Sequence, residues 1–196
     1  MKQIIIAAAF FATFGAIAGP FGVSKGMSLE ELKTQGAFVA TNQQFVYRAE
    51  TIKNGHPDFE AYTAVLTPNQ GLCKIQATGN DIETSGFGTE LKSKYQSLIG
   101  AMSEKYGAPS NNFDFLRNGS LWTEPQYWMM GLLKKDRTLT AFWRKSEKNN
   151  LPDSLHTIMI ETIALSGSKG YMRLAYEFDN IDACMAALQA KKNSNL

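Results

Sequence analysis

The residues with the means to do chemistry are few: two histidines, His56 and His156, two cysteines, Cys73 and Cys184, and two short serine motifs. A metal centre needs several His, Cys or carboxylate ligands to converge. Two histidines a hundred residues apart in different local contexts do not supply that, so neither a metal nor a cofactor is expected. His56-Pro57-Asp58 reads as a turn before a strand, and His156 opens one. Dyads are made in space, so His156 with a carboxylate such as Glu161 or Asp179 stands as the alternative, an envelope hydrolase with a site assembled from distant residues. Ser85-Gly86-Phe87-Gly88 lacks both the spacing of a nucleophile elbow and the Lys-Ser/Thr ending of a phosphate loop, and reads as the lead-in to a helix. Ser166-Gly167-Ser168-Lys169 has Ser-x-x-Lys spacing, but that pair works from a helix start, and here it falls in a hairpin turn.

The cysteines point to redox compartment rather than catalysis. The chain opens with Lys2, an uncharged apolar run from Ile4 to Ile17, and then Ala16-Ile17-Ala18 before Gly19. That is the pattern of an export signal, residues 1–18, cut after Ala18. Gly15, Gly19 and Pro20 break the run before the ~20 apolar residues of a membrane span, so no transmembrane anchor is expected after cleavage. An oxidising compartment pairs an even set of thiols. With two cysteines the connectivity is fixed as Cys73–Cys184. The chain-entropy model gives such a bridge about 4–5 kcal/mol.

Those residues must be positioned by regular elements. Removing 1–18 from 196 residues leaves a length suited to one domain, 19–196, with a charge balance near neutral. Nucleic acid is not an expected partner at that balance. Ser28-Leu29-Glu30-Glu31 predicts a capping box and a short helix ending at Gly36. Extended runs follow at Gln44–Ile52, Phe59–Thr67 and Leu72–Thr78, with Cys73, Ile75 and Ala77 on one face. Leu91, Tyr95, Leu98, Ile99, Met102 and Tyr106 fall on one helical stripe from Thr89 to Gly107.

The Asn-, Gly- and Ser-rich segment Ser110–Leu121 reads as a linker, and Thr123-Glu124-Pro125-Gln126 as a second capping signal before an apolar helix. Strands are predicted at Thr138–Arg144, Leu155–Leu165 and Gly170–Phe178. A closing helix buries Ile181, Cys184, Met185 and Leu188. The halves 27–107 and 123–192 then share an αβββα order, a possible pseudo-repeat. The predicted fold is α+β, an antiparallel sheet of about six strands with helices packed on one face.

Two features favour binding over turnover. Phe113, Phe115, Trp122, Tyr127 and Trp128 cluster around the linker, where aromatics serve as anchors. Lys134, Lys135, Arg137, Arg144, Lys145 and Lys148 oppose only Asp136 and Glu147, a basic rim suited to acidic groups. The candidate binding residues are therefore Trp122, Tyr127, Trp128, Lys134, Lys135, Arg137 and Arg144. The stretch Gly26-Met27-Ser28-Leu29-Glu30-Glu31 resembles the opening of small bacterial envelope proteins, BamE-like modules among them. Tyr106-Gly107-Ala108-Pro109 is similar to segments of other exported bacterial proteins. That resemblance implies a periplasmic address. BamE-like lipoproteins carry a lipidated Cys that this chain lacks, so their role is not carried over. The expected function is a periplasmic, non-enzymatic binding or interaction protein, an inhibitor or accessory of an envelope enzyme. Its expected partner is an envelope protein or an anionic envelope polymer.

Overall fold

The computed structural model describes residues 19–146 and 150–193; the predicted leader, with its cleavage site, and Lys148 of the basic rim lie outside them. The first helix forms where the capping signal places it. The Glu31 amide donates to Ser28 Oγ at 3.2 Å and the Ser28 amide to Glu31 Oε2 at 2.8 Å, starting α1 (Leu29–Gln35), which stops at Gly36. The chain continues through β1 (Val39–Ala40), β2 (Val46–Ala49), β3 (Phe59–Thr67), β4 (Gly71–Gly79), β5 (Ile82–Glu83) and α2 (Thr89–Tyr106). The second half runs β6 (Asn111–Leu116), α3 (Trp128–Leu133), β7 (Arg137–Arg144), β8 (Leu155–Ala164), β9 (Lys169–Phe178) and α4 (Ile181–Asn193).

All strands join one antiparallel sheet in the order β1-β2-β3-β4-β9-β8-β7-β6, with β5 added to β9. The fold is α+β, as the periodicity predicts. Each half contributes four consecutive antiparallel strands, β1–β4 and β6–β9, and the two meet through the last strand of each, Lys74↔Glu177 to Thr78↔Arg173. One row of residues shows how the sheet divides its faces. Ala141, Ile160, Leu174, Ala77 and Tyr62 lie side by side across five strands, and all are buried. The α2 stripe packs in the same core: Leu91, Tyr95, Ile99, Met102 and Tyr106 are buried there, joined by Trp128, Met129 and Leu132 of α3. Trp143 is fully buried and donates its indole N–H to Gly107 O at 2.7 Å, tying β7 to the end of α2.

Four expectations need correction. The sheet has nine strands among the described residues instead of about six. Two of the extra ones, β1 and β5, are only two residues long. The third, β6, lies inside the predicted linker: Phe113 and Phe115 alternate with Asn112 and Asp114, a period-two pattern hidden by the segment's turn-forming composition. Thr123 caps nothing; Pro125–Tyr127 forms a 3₁₀ turn that runs into α3, whose N-cap residue, Tyr127, makes no side-chain cap bond.

The other two corrections concern the disulfide, which joins Cys73 to Cys184 as predicted, with Cα atoms 6.5 Å apart. Val65 pairs with Lys74 and Leu66 with Leu72, so Cys73 is the unopposed residue of a β-bulge. Ile75 and Ala77 enter the main core, whereas Cys73 enters a second small cluster with Ile181 and Cys184. The buried stripe of α4 is correspondingly narrow. Ile181 and Cys184 are buried, but Met185 is 54 % exposed. Thr67 Oγ1 sits 3.4 Å from Cys184 Sγ at this junction.

Candidate interaction surface

One residue beyond the buried row, the register brings together Phe113, Thr140, Glu161, Arg173 and Thr78 on the opposite, outer face. Glu161 pairs with Arg173 across β8 and β9, and Lys74 with Glu177 at 2.9 Å across β4 and β9. Phe142 meets Phe113 edge-on at 6.1 Å, and Phe113 meets Phe115 at 6.5 Å. The outer face is thus polar in the middle and aromatic toward β6.

β6 is the last strand of the sheet, paired on one side only, and five of its six residues are exposed. Phe113 is 40 % and Phe115 50 % exposed. Its inner face is held firmly. Tyr95 donates its hydroxyl to Asn112 Oδ1 at 2.9 Å, and Arg137 Nη1 lies 3.2 Å from Asp114 Oδ1. Burial, and after it the Asp114 carboxylate, push the Tyr95 phenol up, so it stays a neutral donor through the physiological range. An unpaired strand edge is a template for another chain, and proteins commonly blunt it. Here the edge carries exposed rings.

The sequence candidates separate. Trp128 is 4 % exposed and belongs to the core, its ring 2.3 Å from where a side chain on Gly88 would begin; Gly88, in the left-handed region at φ +70°, starts α2. Lys92 Nζ stands 4.4 Å over that ring, and burial lowers the lysine's pKa, Arg137 adding to the effect. Trp122 and Tyr127 stack edge-on at 5.7 Å, Trp122 half-buried and Tyr127 exposed. Leu121 beside them is 86 % exposed, and its type gave no reason to single it out.

The basic rim is less basic than its local sequence. Arg137 pairs with Asp114, and Lys145 with Asp179 at 3.0 Å, both acids coming from distant strands or turns. Arg144 lies over the Phe142 ring at 4.8 Å. Among the described residues Lys134, Lys135 and Arg144 form no ion pair.

Among the described residues His156 forms no hydrogen bond or ion pair with Glu161 or Asp179. His156 is exposed on β8, and Glu161, five residues on, lies roughly 16 Å along the strand at ~3.3 Å per residue. Glu161 is held by Arg173, and Asp179 by Lys145. Lys169 Nζ turns away from Ser166 to Glu83 at 2.9 Å and Asp81 at 3.4 Å, and those carboxylates raise its pKa. His56 Nδ1 accepts the Asp58 amide at 3.2 Å, closing its own turn. Among the described residues no cluster of three His, Cys, Asp or Glu is placed to hold a metal. No helix among them is long and apolar enough to cross a membrane.

No protein-family model matches the chain, and no curated protein or solved structure matches it.

Proposed function

We propose that this protein is an exported, non-enzymatic interaction protein of the bacterial envelope, serving as inhibitor or accessory of an envelope enzyme through the β6 end of its sheet. The observation that carries the reading is β6 itself. It is an edge strand, braced from behind by Tyr95 and Arg137, with Phe113 and Phe115 standing exposed on its outer face. Rigid aromatic side chains lose little conformational freedom on contact and are frequent anchors of binding energy. Export supports the reading through the leader pattern and the disulfide.

The test is capture from a bacterial envelope fraction by the immobilised protein, with the double variant Phe113→Ser, Phe115→Ser as comparison. Both rings are half exposed, and circular dichroism and thermal unfolding of the variant confirm that it is folded before capture is compared. A specific partner retained by the native protein and depleted at least about tenfold by the variant supports the reading, since a tenfold loss is ~1.4 kcal/mol. Equal retention rejects it.

A further inference from the structure

β7 and β8 pair from Arg144↔Thr157 to Thr140↔Glu161, and there the ladder stops. Continued in register it would set Leu139 against Thr162 and Arg137 against Ala164. Neither pair forms, although both strands run on, held from outside by β6 and β9. Thr162 Oγ1 donates instead to Leu139 O at 3.3 Å. Beyond that strut the two strands enclose a cleft of about 520 Å³.

The walls are strand edges where the ladder is broken, with the Leu139 carbonyl at the inner end taken by Thr162 Oγ1. The Arg117 amide donates to Asp136 O at 2.7 Å, so by alternation Arg137 and Leu139 turn their amides and carbonyls away from β6, into the cleft. The Leu165 amide donates to Lys169 O at 2.8 Å, which turns those of Thr162 and Ala164 toward the same space from the other side. Beyond the strut, the main-chain donors and acceptors of Arg137 and Ala164 face the cleft, where an extended chain can meet them.

The charge is one-sided. Glu161 is the acid of the lining, and Arg173 neutralises it; Arg137 is itself paired with Asp114, which leaves Lys135 as the lining's cation without an ion pair among the described residues. Lys135 stands at the cleft in the left-handed region at φ +61°, a conformation that is costly for a lysine. Arg137 has its Nε buried without a hydrogen-bond partner among the described residues. Donors of this kind are suited to a carboxylate.

From these three observations we infer that the cleft binds a short extended peptide ending in a free carboxylate. Its main chain lies between Arg137 and Ala164, beyond the Thr162–Leu139 strut, and its terminal carboxylate lies at Lys135 and the Arg137 Nε. This site shares Arg137 with the brace of β6 but none of the exposed rings, and it does not depend on the β6 surface having a partner.

The probe is acetyl-Ala-Ala-Leu with a free carboxylate, titrated into the ¹⁵N-labelled mature protein, with the carboxamide of the same peptide as control. The acid should move the amide signals of Leu139 and Ala164 and saturate with a dissociation constant below roughly 1 mM. The carboxamide should bind at least about tenfold more weakly. Lys135→Asn, which suits the left-handed backbone, should bring the acid down to the carboxamide's level. Ile163→Trp, which fills the cleft, should abolish both titrations while the circular dichroism stays native. The Phe113→Ser, Phe115→Ser double variant should titrate like the native protein, so loss of peptide binding and loss of envelope capture report on different surfaces. The inference is overturned by absence of shifts at roughly 5 mM peptide, by equal binding of acid and carboxamide, or by shifts confined to residues outside the cleft.

Discussion

The hydroxyl of Tyr95, in the middle of α2, donates to Asn112 Oδ1 on edge strand β6 at 2.9 Å. It ties an exposed edge strand to the buried stripe of α2, because Tyr95 is itself in the core.

Tyr95→Phe keeps the ring and removes that bond. The protein should lose about 1 kcal/mol in urea unfolding, the usual net worth of one hydrogen bond. The β6 amides should exchange with solvent faster while those of β8 keep their protection. Unchanged β6 exchange would show that the brace lies elsewhere.

Replacing both cysteines by alanine should cost about 4–5 kcal/mol on the chain-entropy model, since the bridge closes a loop of 111 residues. Only Ile181 shares the small cluster with the two sulfurs, so α4 should lose protection first. A loss under about 1 kcal/mol would mean that the open chain is already constrained.

Trp128→Ala should remove about 3–5 kcal/mol, as expected for deleting a buried indole from a packed core. Leu121→Ser, at a site 86 % exposed, should stay within about 0.5 kcal/mol. Thermal unfolding of the pair distinguishes core from surface directly, and equal melting temperatures would refute the assignment of Trp128 to the core.

Two carboxylates, Glu31 of the capping box and Glu90 in the first turn of α2, should titrate below the ordinary glutamate range in NMR experiments. Glu31 is lowered by the Ser28 amide and then the Ser28 hydroxyl; Glu90 is lowered by the Thr84 hydroxyl first and then by its own and the Ser85 amides. A carboxyl whose pKa is depressed on folding adds stability that is complete above its unfolded pKa. That stability is lost as the pH falls through the folded value. Ser28→Ala removes the hydroxyl but keeps the amide, so it should move Glu31 only part of the way toward the ordinary range and leave Glu90 unmoved; a Glu31 that titrates normally in the native protein would rule out the capping box in solution.

The capping box at Ser28, the α2 stripe and strands β3, β8 and β9 were legible in the sequence because each is fixed by short-range spacing: a hydroxyl three residues from a carboxylate, or apolar residues at the period of one element. The disulfide was legible because two cysteines admit one pairing. The tertiary structure alone decided which strands are neighbours, and with that the character of the surface. Asp114 and Asp179 neutralise cations that stand unopposed in their own segments, because they arrive from remote parts of the chain. Trp128 and Phe115 are both linker-flanking aromatics by type; one is buried and the other exposed, because Trp128 packs against Gly88 while β6 is the last strand of the sheet among the described residues. The break between Leu139 and Thr162 has no local signature: each strand alternates normally, and only their divergence in space leaves the two edges open.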